Sequence, residues 1–223
     1  MAVRGRLPWS SNGTFLVELC QEEGADPVRA VYKPLRGERP LWDYPSGLYR
    51  REVAAYEVSE WLGWGVVPET VEREDGPLGP GSLQRFVDAD FSEHYFTLLE
   101  RPEHHEGLKR ICAFDLVVNS GDRKSGHCLL DGEGRIWGID NGLSFHPHPK
   151  LRTVIWDFEG QPLPEDWLED VRRLAQVGEP PERLIPYLSE VEVVALVERA
   201  AALLRRPYFP AARSARAFPW PLV

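Results

Sequence analysis

Two carboxylates, Asp122 and Asp140, bracket a short hairpin signal. Cys128-Leu129-Leu130 and Ile136-Trp137-Gly138-Ile139 flank the turn Asp131-Gly132-Glu133-Gly134. A hairpin brings its two ends together, so carboxylates far apart in sequence come to point into one space. Like charges gathered in this way repel one another unless a metal ion or a basic side chain compensates. Arg123, Lys124 and His127 lie in the loop that Asp122 opens. Upstream, Lys33 closes the apolar run Val31-Tyr32, where an ammonium is costly unless it meets an anion. Glu52 lies on the following helical segment, where a carboxylate can pair with Lys33. Between the first two strand-like runs stands Ser10-Ser11-Asn12-Gly13-Thr14, whose hydroxyls and backbone N–H groups can approach phosphate oxygens. Taken singly, these features describe a hairpin tip, an edge lysine, a surface glutamate and a turn. Together they are the parts that phosphoryl transfer uses: a phosphate cradle, a cation, a metal-holding acid and a carboxylate that orients the acceptor hydroxyl.

The elements that must position them follow from periodicity. Val3 to Leu7 and Thr14 to Leu19 read as strands joined by a loop with an Asn-Gly turn signal, and Val28 to Pro34 reads as a third strand. Tyr49 to Leu62 is a helix whose buried stripe is Ala54, Val58, Trp61 and Leu62. Gly63 to Val71 leads into further strand material, and Ser82 to Val87 is another strand. Beyond Asp88–Asp90 the pattern turns helical: Gly107 to Asn119, Glu165 to Gln176 and Glu190 to Arg206, the last opened by the capping-box pattern Ser189-Glu190-Val191-Glu192. On the first of these helices Asp115 shares a face with Leu108, Ile111, Cys112 and Val118, an unusual place for a carboxylate. The order predicts an α+β, bilobal, protein-kinase-like fold: a β-rich lobe over residues 1–88, a helical lobe carrying the hairpin over 89–206, and an extension over 207–223.

The motifs in this order resemble the phosphatidylinositol 3-/4-kinase superfamily, in particular its type II phosphatidylinositol 4-kinase branch and related uncharacterised bacterial proteins. The resemblance runs through S-S-N-G-T-F-L-V (10–17), V-Y-K-P (31–34), R-E-V-A-A-Y (51–56), G-S-L-Q-R-F-V (81–87), G-D-R-K-S-G-H (121–127) and I-D-N-G-L-S-F (139–145). It covers roughly residues 9–146, and its most specific pieces are I-D-N-G-L-x-F and the ordered spacing. The resemblance implies ATP and Mg²⁺ as cofactors, with Mn²⁺ as a variant. Lys33, tethered by Glu52, would meet the ATP phosphates, with the loop Ser10 to Thr14 over them. The main chain of Gln84, Arg85, Phe86 and Val87 would meet the adenine. Asp122 would be the catalytic aspartate, with Arg123 and Lys124 neutralising the transferred group or the substrate, and Asp140 would hold the metal. The departure is His127, which stands where those lipid kinases carry a metal-binding Asn. A neutral imidazole can bind a divalent ion, but Mg²⁺ prefers hard oxygen donors, so three outcomes are open: His127 as a second metal ligand with a preference for Mn²⁺, a single metal on Asp140, or lost activity.

Composition sets the outer bounds. At 223 residues, 43% hydrophobic and 27% charged, the chain can bury a sizeable core. A net charge of −9 argues against a general nucleic-acid binder. Cys20, Cys112 and Cys128 show no paired spacing, so buried, reduced thiols and a cytoplasmic protein are expected. No apolar run reaches the length of a membrane span. His94, His104, His105, His127, His146 and His148 form no zinc-hydrolase pattern. Arg205, Arg206, Arg213 and Arg216 stand in a tail without an acid. It is read as packing back on the helical lobe, with contact to an anionic membrane as the alternative. Two functions compete: an ATP-dependent phosphotransferase with an unidentified hydroxyl acceptor, and a pseudokinase-like nucleotide-binding module. Transfer of AMP is a catalytic variant of the first.

Overall fold

The computed structural model describes residues 1–8, 12–20, 26–176 and 181–223. In chain order the main elements are strands β1 (Ala2–Arg6), β2 (Phe15–Leu19) and β3 (Val28–Pro34), helix α1 (Leu48–Leu62), and strands β4 (Thr70–Arg73) and β5 (Gly81–Arg85). Helices α2 (Tyr95–Leu99) and α3 (His105–Val118) follow, then the hairpin strands β6 (Cys128–Leu130) and β7 (Ile136–Gly138), and finally α4 (Glu165–Ala175) and α5 (Glu190–Arg205). The first five strands form one antiparallel sheet in the order β1-β2-β3-β5-β4, and β6 and β7 pair separately.

Alternation along β3 decides which face does what. Ala30 and Tyr32 are buried against Val17 and Leu83 on one side of the sheet. Val31 and Lys33 therefore point to the other side, toward α1 and the helical lobe. Leu16 and Gln84 are the register partners of Val31 on that same face. Helix α1 starts and stops on left-handed glycines, Gly47 (φ 97°) and Gly63 (φ 69°). Its N-terminal donors are satisfied from outside: the Glu38 carboxylate accepts from Gly47 N at 2.8 Å and Tyr49 N at 2.9 Å. The stripe expected on α1 holds at Ala54, Val58 and Leu62, all buried, whereas Trp61 is only half-buried.

The main core runs from Ala54, Val58 and Leu62 of α1 into the later helices, where α3 presents Leu108, Ile111, Phe114 and Val118 and α4 presents Trp167, Val171 and Leu174. Burying a side chain of this size stabilises by about 2 kcal/mol. The face of α3 thus outweighs the cost of carrying Asp115, provided that the carboxylate is neutralised. The helix ends at Asn119, left-handed at φ 58°, a conformation that Asn tolerates better than most residues. The Asn119 amide donates to the carbonyls of His146 (2.8 Å) and His148 (2.9 Å) and accepts from Lys150 N (2.9 Å). This pins the approach to Asp122. At α5 the capping box forms as the sequence indicates, with Ser189 N donating to Glu192 at 2.9 Å. Glu192 also meets the buried Arg51 of α1, an ion pair joining α1 to α5.

One expectation needs correction. Cys20 is exposed, since the short strand β2 ends just before it, while Cys112 and Cys128 are buried and free. The strand material into which Gly63 to Val71 leads is β4, which begins at Thr70. Helix α2 has no counterpart in the sequence reading: five residues are too few for a 3.6-residue periodicity to stand out. No helix among the described residues is long and apolar enough to cross a membrane.

Candidate active site

Lys33, Glu52, Asp122 and Asp140 line one cavity of about 280 Å³, together with Asn12, Gly13 and Thr14. The Lys33 ammonium bonds Glu52 Oε1 and lies 2.8 Å from Asp140 Oδ1. Burial works against the lysine charge, but Asp140 and Glu52 together outweigh it and raise its pKa. Glu52, itself buried, also accepts from Asn141 N at 3.0 Å and Gly142 N at 3.1 Å. One carboxylate thereby ties β3, α1 and the loop after β7 into a single unit. Asp140 occupies the left-handed region at φ 60°, which the short polar Asp side chain tolerates. Lys33 above all holds its pKa down, against the opposing effect of burial, so it is an ionised carboxylate.

Asp122 behaves oppositely. Burial pushes its carboxyl up to about 6, with Asp140 adding to the rise and Lys124 countering it. Lys124 Nζ lies 3.5 Å from Asp122 Oδ2. A carboxylate with a pKa near neutrality can take a proton from a hydroxyl as the hydroxyl attacks.

His127 is half-buried beside this pair, and desolvation lowers its pKa to about 4, only partly offset by Asp140. The ring is therefore neutral. Its Nδ1 accepts from Lys124 N at 3.3 Å, so the ring proton belongs on Nε2, which stands 3.3 Å from Asp140 Oδ2. A histidine held in this tautomer donates to the carboxylate and has no lone pair turned toward it. Among the described residues no group of three or more His, Cys, Asp and Glu side chains converges as a metal site. Asp140, with Asp122 on the same cavity, suits a divalent ion that arrives with phosphate oxygens and keeps its waters, because Mg²⁺ needs only one or two protein carboxylates.

Arg123 is not where the sequence resemblance put it. Its side chain is fully buried, with Nε and Nη2 on the Asp115 carboxylate (Nη2 to Oδ1 2.9 Å), Nη1 on the Ile139 carbonyl and Nη2 on Asn141 Oδ1 at 2.6 Å. The guanidinium cannot reach a transferred group. It clamps the Asp122 loop to α3 and to the Asp140 loop, and it explains the carboxylate on the apolar face of α3.

The loop between β1 and β2 is only partly open to a ligand. Ser10 and Ser11 lie outside the described residues. Gly13 N donates to Gly37 O at 2.7 Å, and Asn12 Oδ1 accepts from Arg39 N at 3.1 Å. The two glycines touch so closely that a Cβ on Gly37 would lie 2.6 Å from the Gly13 oxygen. Thr14 is buried on the cavity wall.

The segment Gln84 to Val87 does not line this cavity. Gln84 is buried and bonds Thr70 through its side chain at 2.9 Å. Arg85 N and Phe86 N are committed to the carbonyls of Glu69 (2.8 Å) and Arg29 (3.0 Å). Val87 packs on Leu129 and Trp137 of the hairpin.

Sequence reasoning missed the C-terminal segment as part of the site's frame. Arg123 N donates to Arg152 O at 3.0 Å, Thr153 N to Ala217 O at 3.0 Å, and Ser125 N to Leu222 O at 2.8 Å. The tail thus runs beside the loop that carries Asp122, Lys124 and His127, and Phe218 packs on Trp156 at 6.3 Å between ring centroids. The only signal was the tail's aromatic and proline content.

No family model matches the chain. Protein Rv2133c of Mycobacterium tuberculosis is 38% identical over an alignment of 257 positions, spanning 99% of this chain and 91% of that protein. Among solved structures, the Helicobacter pylori proinflammatory kinase CtkA superposes with a TM-score of 0.52 at 14% identity, over 96% of this chain and 94% of its own. Hydra Fam20, solved with sugar, gives a TM-score of 0.52 at 12% identity, over 88% and 81%. At such identities the likeness is one of fold, and that fold is the atypical kinase-like one. The chain belongs to the same family as protein Rv2133c, and its α+β fold is similar to the kinase-like folds of CtkA and Fam20.

Proposed function

We propose that the chain is an ATP-dependent phosphotransferase, related to the phosphatidylinositol 3-/4-kinase superfamily through its type II 4-kinase branch. It moves the γ-phosphoryl group of ATP to a hydroxyl acceptor. The observation that carries this reading is the Lys33 ammonium shared between buried Glu52 and Asp140, with Asp122 on the same cavity. Lys33 meets the nucleotide phosphates, and Glu52 holds it in register with the Asp140 loop. Asp140 is the residue to hold a divalent ion, which when bound neutralises phosphate charge and templates the transfer. His127 orients the Asp140 carboxylate. Asp122 takes the acceptor's proton, and its raised pKa matches that task. Lys124 steadies Asp122 in its ionised form.

A second reading, a nucleotide-binding module without turnover, is favoured by two features. His127 is turned as a donor, and the Gly13 N–H is committed within the fold. Both readings require nucleotide binding through Lys33. Thermal unfolding with ATP and Mg²⁺ tests that requirement: ATP should raise the midpoint of the wild type and leave that of Lys33→Ala unmoved. An equal shift in the two proteins would contradict both readings.

A further inference from the structure

The cavity is short of available positive charge for a polyphosphate. Its lining holds four carboxylates, those of Glu38, Glu52, Asp122 and Asp140, against two cations, Lys33 and Arg39. Lys33 is already divided between Glu52 and Asp140. Nearby, Lys124 faces Asp122, and Arg123 is sealed on Asp115. The loop over the cavity cannot make up the deficit with Gly13, whose N–H is held by the Gly37 carbonyl. Metal alone neutralises two of the roughly four negative charges of a nucleoside triphosphate.

Arg39 stands apart from the other cations. It lines the cavity, is exposed, and makes no ion pair among the described residues. Its backbone is tethered, since Arg39 N donates to Asn12 Oδ1 at 3.1 Å, and the Gly13–Gly37 contact binds the same turn to the β1–β2 loop. A tethered backbone with an uncommitted guanidinium suits a phosphate clamp, because the planar fork can meet two phosphate oxygens at once.

We infer that Arg39 binds the terminal phosphates of the nucleotide, doing with a side chain what the β1–β2 loop does not do with Gly13 N–H. This inference rests on the nucleotide-site reading above and assigns the phosphate end of that site. It implies selectivity for the number of phosphates: Arg39 contributes to ATP affinity and nothing to adenosine affinity.

Calorimetric titration with ATP and with adenosine, in the presence of Mg²⁺, tests it on the wild type, Arg39→Ala and Arg36→Ala. Arg36 is an exposed arginine one turn away that does not line the cavity. Alanine at position 39 keeps the backbone bond to Asn12, so the loop remains tethered. ATP affinity should fall about tenfold in Arg39→Ala, the loss of one charge-assisted contact, with adenosine affinity unchanged and Arg36→Ala behaving as wild type. Undiminished ATP affinity in Arg39→Ala overturns the role of Arg39 and leaves the nucleotide site standing. A parallel loss of adenosine affinity also overturns it, since the effect would then not lie at the phosphates. Absence of ATP binding by the wild type overturns the nucleotide site itself.

Discussion

His127 Nε2 and Lys33 Nζ hold the two oxygens of one carboxylate: the imidazole stands 3.3 Å from Asp140 Oδ2 and the ammonium 2.8 Å from Oδ1. Because Lys124 N–H faces Nδ1, the ring is neutral with its proton on Nε2. Nitrogen-15 chemical shifts of the His127 ring should report that tautomer, with no titration between pH 8 and 5. If His127 supports Asp140 without binding metal, His127→Asn should weaken nucleotide binding by a similar factor with Mg²⁺ and with Mn²⁺. A selective loss with Mn²⁺, the softer ion, would identify the ring as a ligand.

Asp122 should impose the acid limb of the rate profile. Its carboxyl is raised from 3.8 to about 6 by burial, and only the ionised form accepts a proton. The turnover rate should therefore fall about tenfold per pH unit below that value. Stability has a different dependence. A carboxyl with a raised folded-state pKa binds its proton more tightly when folded, so Asp122 removes stability as pH rises from about 4 to about 6. His127, lowered from 6.5 to about 4, restores stability over the same rise. These contributions oppose each other, so activity should be lost between pH 7 and 5 before circular dichroism detects unfolding.

Two ion pairs of the frame should be costly to break from one side. Arg123→Met leaves the fully buried Asp115 without its partner, and breaking a buried pair on one side costs about 4 kcal/mol. Glu52→Ala frees Lys33 and the N–H groups of Asn141 and Gly142 together, and a loss of about 3 kcal/mol is expected. Urea unfolding of both variants measures these values. Arg123→Met should remain much less stable than the wild type even with ATP present, because its guanidinium acts on the frame and not on the ligand.

The tail should be required for a competent catalytic loop. Ending the chain after Arg213 removes the carbonyl partners of Ser125 N and Thr153 N. Two buried backbone donors left unpaired cost roughly 2–4 kcal/mol. Hydrogen exchange should show faster exchange at Ser125 and Thr153 and unchanged protection in β3. Equal protection in the loop would mean that the tail only covers surface.

What could be read from residues alone was whatever depends on local pattern. β3 runs from Val28 to Pro34 as its alternation indicates, and the hairpin strands flank Asp131-Gly132-Glu133-Gly134. The Lys33–Glu52 pair follows from a lysine on an apolar strand and an acid on the next helix. What escaped depends on which distant groups meet. Arg123 in Asp-Arg-Lys has the composition of a surface loop, and only the packing of α3 reveals that Asp115 draws it inside. The Gly13–Gly37 contact joins two turns whose sequences carry no mutual signal, so the tie between the β1–β2 loop and the turn after β3 was hidden. Arg39 sits in Gly-Glu-Arg-Pro, a stretch that reads as an ordinary polar loop.

The most direct test of the account is release of ADP from ATP by the purified protein with Mg²⁺ and a panel of hydroxyl acceptors, set beside Asp122→Ala. The account predicts acceptor-dependent ADP release by the wild type and a loss of at least about a hundredfold in Asp122→Ala, with nucleotide binding retained. Binding of ATP with turnover equal in the two proteins would contradict it.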